Sequence, residues 1–167
     1  MSLVTMREIL PYAEEKKIAI PAFNIDTMEI TQAILETVEE ENCPAIIAVG
    51  QAAIKDGKLE SLAATVRTLA KDMKTPVVLH LDHGQSVEQV VKALCAGFTS
   101  VMIDGSKLSF EDNIALTRQV VEYAHDHGVV VEGELGTLAG VEDEVKVSAE
   151  DSSYTHPEEV EEFVSKT

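Results

Sequence analysis

Five short runs of almost unbroken apolar residues set the terms for this chain: "IAIPAFN" (18–24), "PAIIAVG" (44–50), "PVVLHLD" (76–82), "TSVMIDG" (99–105) and "VVVEGELG" (129–136). A strand with one wet face alternates between apolar and polar. A strand apolar at nearly every position is covered on both sides, as helices cover a parallel sheet. Between the runs the pattern turns helical. "DTMEITQAILETVEEE" opens with Asp26 and carries Glu29 three residues on, a capping-box arrangement. "KLESLAATVRTLAKDM", "SVEQVVKALCAG" and "SFEDNIALTRQVVEYAHDHG" follow, the last two closing at Gly97 and Gly128 as helices often do. "TMREILPYAEEKK" precedes the first run, and "HPEEVEEFVSKT" ends the chain with Pro157 in its first turn. The spacing predicts a βα repeat with right-handed crossovers in a single domain over residues 1–167, with no linker or low-complexity stretch. Two architectures satisfy it. One is a complete open doubly wound sheet, which suits a chain of 167 residues. The other is the first five strands of a (β/α)8 barrel, which takes about 250 residues in full. Periodicity alone does not choose.

The net charge of −17 argues against nucleic acid and against anionic membranes as partners. No apolar run is long enough to span a bilayer, and "MSLVTMREIL" lacks the apolar core of a signal peptide. Cys43 and Cys95 are isolated, which excludes paired-cysteine zinc or redox motifs. Two buried thiols in a reducing, cytoplasmic protein are the expectation.

Polar residues gather where the runs end: Asn24, Gly50, Asp82 and His83, Asp104, Glu132 and Glu134. Both architectures bind ligands at the carboxyl ends of their strands. By alternation His80 and Asp82 share one face of the third strand, and Glu132 and Glu134 one face of the fifth. Carboxylates crowded at one rim repel each other unless a cation neutralises them, and His with Asp and Glu are zinc ligands by chemistry. Without a cation, Asp82 reads as a helix cap and His83 as a loop residue. His125 and His127 fall at the opposite rim, at a helix C-terminus, where a structural role is expected. His156 has no evident partner in the sequence. Lys107, among Gly and Ser, reads as a solvated lysine rather than a desolvated Schiff-base amine. Residues 136–155, "GTLAGVEDEVKVSAEDSSYT", show no convincing period. A loop this long in a compact domain is usually functional. Gly136 and Gly140 are possible hinges of a lid carrying Glu142, Asp143 and Glu144, with a solvated acidic loop as the alternative. Neither a P-loop nor a GxGxxG motif is present.

Taken together, "IPAFNI", "HLDHG", "SVMIDGS", "EGELGTLAGVEDE" and "YTHPEEVEEF" resemble, in order and spacing, the class II metal-dependent ketose-bisphosphate aldolases. The resemblance covers nearly the whole chain and favours the barrel. It implies cleavage of fructose or tagatose 1,6-bisphosphate to dihydroxyacetone phosphate and glyceraldehyde 3-phosphate, with Zn²⁺ as Lewis acid. It implies that His83 is the first zinc ligand and that Asp82 is the acid/base at the aldehyde oxygen. By the same resemblance Asp104 and Glu134 can hold a second or displaced metal, and Glu142 moves the proton at the ketone-side carbon. Ala139 stands where the family often has glycine. The partners implied are a phosphorylated sugar and further copies of the protein in a homo-oligomer.

The family's other two zinc histidines and its phosphate loops belong to strands six to eight. The resemblance therefore implies that these 167 residues are the N-terminal part of a barrel, inactive and poorly soluble by themselves. Two rivals remain at this point. One is a non-enzymatic open-sheet module binding Mg²⁺. The other is a metal-dependent hydrolase on the same barrel, although "AFNID" lacks the HxH usual for that chemistry.

Overall fold

The computed structural model describes residues 2–138, 140–142, 145–148, 150 and 152–167, with only the backbone at 141, 142, 145 and 146. Five parallel strands form one sheet: β1 (Ala22–Asn24), β2 (Ala45–Val49), β3 (Val77–Gly84), β4 (Ser100–Ile103) and β5 (Val130–Gly133). Helices α1 (Met6–Lys16), α2 (Met28–Glu41), α3 (Gln51–Lys55), α4 (Leu59–Ala70), α5 (Val87–Ala96), α6 (Phe110–Asp126) and α7 (Pro157–Lys166) surround it.

The spatial order of the strands is β1-β2-β3-β4-β5, the order of the sequence. A doubly wound sheet must reverse direction at a switch point, as in the orders 3-2-1-4-5-6 or 2-1-3-4-5. Here every crossover steps the same way. With right-handed connections this puts all the crossover helices on one face. The sheet is singly wound, as in a (β/α)8 barrel, and the open doubly wound alternative is set aside.

The two faces differ in what they pack against. The outer face carries Ile47, Val49, Val77, Leu79, Leu81, Val101 and Ile103. They form one core with Leu35, Val38, Ala63, Val66, Val90, Ala93, Val120 and Ala124 of the helices. On the other face Ile46 and Val78 meet Met6 and Ile9 of α1, which closes the sheet from below. Register carries a polar row above them: Asn24 pairs with Ala48, Ala48 with His80, and His80 with Ser100.

Coverage on both sides holds for β2 and β4 throughout and for β3 as far as Leu81, whereas β1 is exposed at every residue. β1 begins only at Ala22, later than the apolar run from 18 suggests: Ile18 is exposed and its amide donates back to the Ala13 carbonyl of α1, while the Pro21 carbonyl already accepts from Ile46 of β2. α2 is capped by Thr27, whose hydroxyl accepts from the Ile30 amide, so Asp26 and Glu29 form no capping box. Helix α3 is an addition to the expected elements; it folds directly after Gly50. Both thiols are exposed rather than buried. Cys43 follows the left-handed cap residue Asn42 in a turn, and Cys95 lies in the last turn of α5.

The described residues between 136 and 155 hold more order than the composition of this stretch suggests. β6 (Gly140–Glu142) and β7 (Val145–Val147) pair as an antiparallel hairpin. Thr137 and Ser153 pair below it with N···O distances of 2.6 and 2.9 Å. Gly136 has φ +80°, and a Cβ there would lie 2.7 Å from the Ser153 carbonyl, so its backbone is packed against the returning chain. Among the described residues no helix is long and apolar enough to cross a membrane.

Candidate metal centre at the mouth of the strands

In a regular strand Asp82 and His83 would point to opposite faces. The structure resolves this with a bulge. Leu81 pairs with Val101, but the next partner of β4, Ile103, pairs with Gly84, so β3 holds one extra residue. His83 takes up the slack with φ +49°, a left-handed conformation that His visits more readily than most residues. The strand therefore does not stop at Asp82; it continues to Gly84. A Cβ on Gly84 would sit 2.4 Å from the Met102 carbonyl, so the bulge needs glycine at this position.

The result is that Asp82 and His83 both line one cleft of about 670 Å³ at the strand ends, with Met102, Glu132 and Glu134. His83, Asp104 and Glu134 each offer a ligand atom, and these atoms lie within 4.8 Å of one another. The His83 Nδ1 is 3.2 Å from Asp104 Oδ2 and 3.4 Å from Glu134 Oε2. All three side chains are partly buried, between 15% and 20% exposed. Burial raises the Asp104 carboxyl, but the hydroxyl and amide of Ser106, at 2.6 and 3.0 Å, together with His83, outweigh it and hold the group below its ordinary value. Asp104 thus stays anionic. One imidazole and two carboxylates on three neighbouring strand ends are a donor set suited to a divalent cation.

Asp82 is held apart from this cluster. Asn24, at the end of β1, donates from Nδ2 to Asp82 Oδ2 at 3.0 Å. In the sequence Asn24 only ends a strand; the register of β1 through β2 to β3 brings it to Asp82. His80 lies one layer deeper. Its Nδ1 is 2.9 Å from Ser100 Oγ, and Nε2 is 3.7 Å from Glu132 Oε2. Burial pushes its imidazole down to about 4; the Asp82 charge opposes this and His83 adds to it. His80 is therefore a neutral, buried group at neutral pH. Glu132 is 56% exposed towards the cleft, yet partial desolvation raises its carboxyl, with the Asp82 charge adding to the effect.

His125, expected at the opposite rim, instead lines the same cleft from α6, and the remaining sequence candidates fall elsewhere. His127 Nδ1 is 2.8 Å from the Tyr123 carbonyl at the end of α6, and its ring lies against Tyr123. His156 is the N-cap of α7 and Lys107 is exposed. Glu142 belongs to β6 by its backbone, while its side chain lies outside the described residues, as do Ala139, Asp143 and Glu144 altogether.

A singly wound parallel sheet with acids and a histidine converging at its carboxyl rim is the arrangement of a (β/α)8 barrel rather than of an open doubly wound sheet. The chain matches the family model "Fructose-bisphosphate aldolase class-II" over residues 4–167 and belongs to that family. It is 48% identical to a probable fructose-bisphosphate aldolase of Bacillus subtilis, covering all of this chain and 59% of the relative. It is 49% identical to the fructose-bisphosphate aldolase of Thermus caldophilus, covering 99% of this chain and 54% of that protein. Among solved structures, a putative fructose-1,6-biphosphate aldolase from Coccidioides immitis superposes with a TM-score of 0.86 at 35% identity, over 96% of this chain and 57% of that one. The YdjI aldolase of Escherichia coli K12 gives 0.85 at 32% identity, over 99% and 61%. The chain thus spans less than two thirds of the length of these relatives.

Proposed function

We propose that the protein carrying this chain cleaves and forms a ketose 1,6-bisphosphate, fructose or tagatose, by zinc-dependent aldol chemistry, giving dihydroxyacetone phosphate and glyceraldehyde 3-phosphate. The observation that supports this most is the convergence of His83, Asp104 and Glu134 within 4.8 Å at the strand ends, beside an Asp82 oriented by Asn24. His83 would hold the metal, with Asp104 and Glu134 as alternative donors on the same rim. A bound divalent zinc supplies Lewis acidity for the ketone oxygen and the adjacent hydroxyl.

This chain's own residues supply the proton transfers. In cleavage Asp82 accepts the proton of the hydroxyl that becomes the aldehyde oxygen, while the bond between the third and fourth carbons breaks. In condensation it returns that proton. A single positioned carboxylate suffices because Asn24 occupies one of its oxygens and leaves the other for substrate. Glu142, brought by the β6–β7 hairpin, moves the proton at the ketone-side carbon. His80, neutral and buried beneath Asp82, keeps the layer under the site free of additional positive charge. Activity belongs to the assembled barrel in a cytoplasmic homo-oligomer, to which these residues contribute β1 to β5. The test is a coupled assay with each bisphosphate, combined with metal analysis of the purified protein and of His83→Ala. Loss of zinc and activity together supports the assignment; full zinc occupancy in His83→Ala removes it.

A further inference from the structure

Two buried carboxamides reach the site from opposite sides, and nothing in the chemistry above uses them. Gln51, the first residue of α3, is 1% exposed, and Asn113 of α6 is 3% exposed. Each donates to a backbone carbonyl of the metal cluster. Gln51 Nε2 lies 2.7 Å from the His83 carbonyl, and Asn113 Nδ2 lies 2.7 Å from the Glu134 carbonyl.

Both amides are fixed by their surroundings. A carbonyl only accepts, so the NH₂ of each side chain must face it. The second hydrogen of Gln51 Nε2 goes to Gln89 Oε1 at 3.1 Å, and Gln89 Nε2 returns a bond to Gln51 Oε1 at 3.2 Å. Gln89 Oε1 also accepts from the Gln85 amide at 2.8 Å, which prevents that amide from flipping. Asn113 Oδ1 accepts from the Thr117 hydroxyl at 3.2 Å. It also packs where a Cβ on Gly105 would stand, 2.3 Å away, directly after Asp104.

Neither His83 nor Glu134 has a partner in the sheet register. His83 is the left-handed residue of the bulge, and Glu134 is the first residue beyond β5. Without an outside donor, the direction in which each side chain leaves the backbone would be set by a short, irregular link.

We propose that Gln51 and Asn113 are positioning residues of the metal site, fixing the backbone at His83 and Glu134 so that the two ligands converge with Asp104. This rests on the reading of His83, Asp104 and Glu134 as the metal cluster. Partners of this kind, one shell behind the ligands, typically cost 10- to 100-fold in metal affinity when removed.

The experiment measures Zn²⁺ affinity of the complete protein by competition with a chromophoric chelator, alongside thermal melting. The variants are Gln51→Met, Asn113→Ala, His83→Ala and Thr31→Val. Thr31 is a buried hydroxyl that donates to the carbonyl of Thr27, the N-cap of its own helix, and serves as a control for destabilisation without repositioning. Gln51→Met and Asn113→Ala are each expected to weaken Zn²⁺ binding about 10-fold or more, whereas Thr31→Val lowers the melting temperature and leaves affinity unchanged. If either amide variant does not fold, the other decides. Wild-type affinity in the folded amide variants, with only a lower melting temperature, overturns the inference. Wild-type affinity in His83→Ala overturns the metal-site reading itself and the inference with it, so the two failures are separable.

Discussion

Leu79 and His80 are neighbours in β3, and both are buried, at 0% and 5% exposure. They are hidden by different means. Leu79 lies on the outer face among apolar side chains of the strands and helices, held by area removed from water. His80 lies on the inner face, held by a directional contact with Ser100 and kept neutral by burial. The same contrast separates Leu81 from Asp82. The outer face of the sheet specifies the fold through non-directional burial, which tolerates exchange among residues of similar volume. The inner face and rim specify chemistry through a few polar contacts that tolerate little. If this division is real, substitutions on the two faces should fail in different assays.

The largest effect is expected on the inner face. Asp82→Ala should lower the rate of carbon–carbon cleavage about 10²- to 10⁴-fold while leaving zinc bound and the melting temperature close to wild type. Glu142→Ala should instead slow exchange of the ketone-side proton of labelled dihydroxyacetone phosphate with solvent, which Asp82→Ala leaves comparatively intact. Equal loss of exchange in both variants would show that the two carboxylates do not divide the reaction as assigned. A large loss of stability in Asp82→Ala would break the contrast between faces.

On the outer face Leu79→Ala removes a fully buried side chain. About 2–5 kcal/mol of stability should be lost, a large part of the roughly 5–15 kcal/mol that a domain has. Urea denaturation measures it. The fraction that stays folded should cleave substrate at the wild-type rate; a lower rate per folded molecule would mean that outer packing sets the site geometry.

Gly84 joins the two faces. Its missing Cβ lets β3 pass close to the Met102 carbonyl, and its own carbonyl accepts from the Asp104 amide at 2.9 Å. Gly84→Ala should cost about 1–3 kcal/mol by forcing a clash with backbone, and unlike Leu79→Ala it should weaken Zn²⁺ binding as well. Unchanged affinity in that variant would mean that the bulge can relax without moving His83.

Much of this was legible in the sequence, for identifiable reasons. β2, β3 and β4 read clearly because burial on both sides leaves a continuous apolar run. Asp82, His83 and Asp104 stood out as polar residues ending such runs. What could not be read depends on contacts between distant segments. The choice of a singly wound sheet lies in strand order, which periodicity does not encode. The Asn24–Asp82 bond spans 58 positions, and Gln51 reaches His83 across 32. The hairpin of β6 and β7 was hidden because strands of three residues each are too short to show a period in the sequence. Thr27 replaced Asp26 as the cap because either residue type can start a helix, and only the backbone geometry distinguishes them.

The smallest effect tests His80, a polar group enclosed on the inner face. Burial pushes its imidazole down to about 4 in the folded protein, against about 6.5 for a free histidine. Between these values the unfolded chain binds a proton that the folded chain refuses. Stability therefore rises with pH across that window and falls as pH drops through it. Well above pH 6.5 both states are unprotonated, and the group contributes no pH dependence. Each pH unit within the window is worth about 1.4 kcal/mol. The groups facing His80 are Asp82 on its own strand, Ser100 on β4 and Glu132 on β5, with His83 beyond. Carboxylates titrate in the same range, so the informative quantity is the difference between wild type and His80→Asn, which retains a polar atom to meet Ser100. Unfolding measured from pH 7 to 5.5 should show wild type losing about 1.4 kcal/mol more than His80→Asn. Parallel pH profiles would mean that the folded protein admits the proton on His80, as an exposed imidazole would, and that the inner face is wetter than its burial implies.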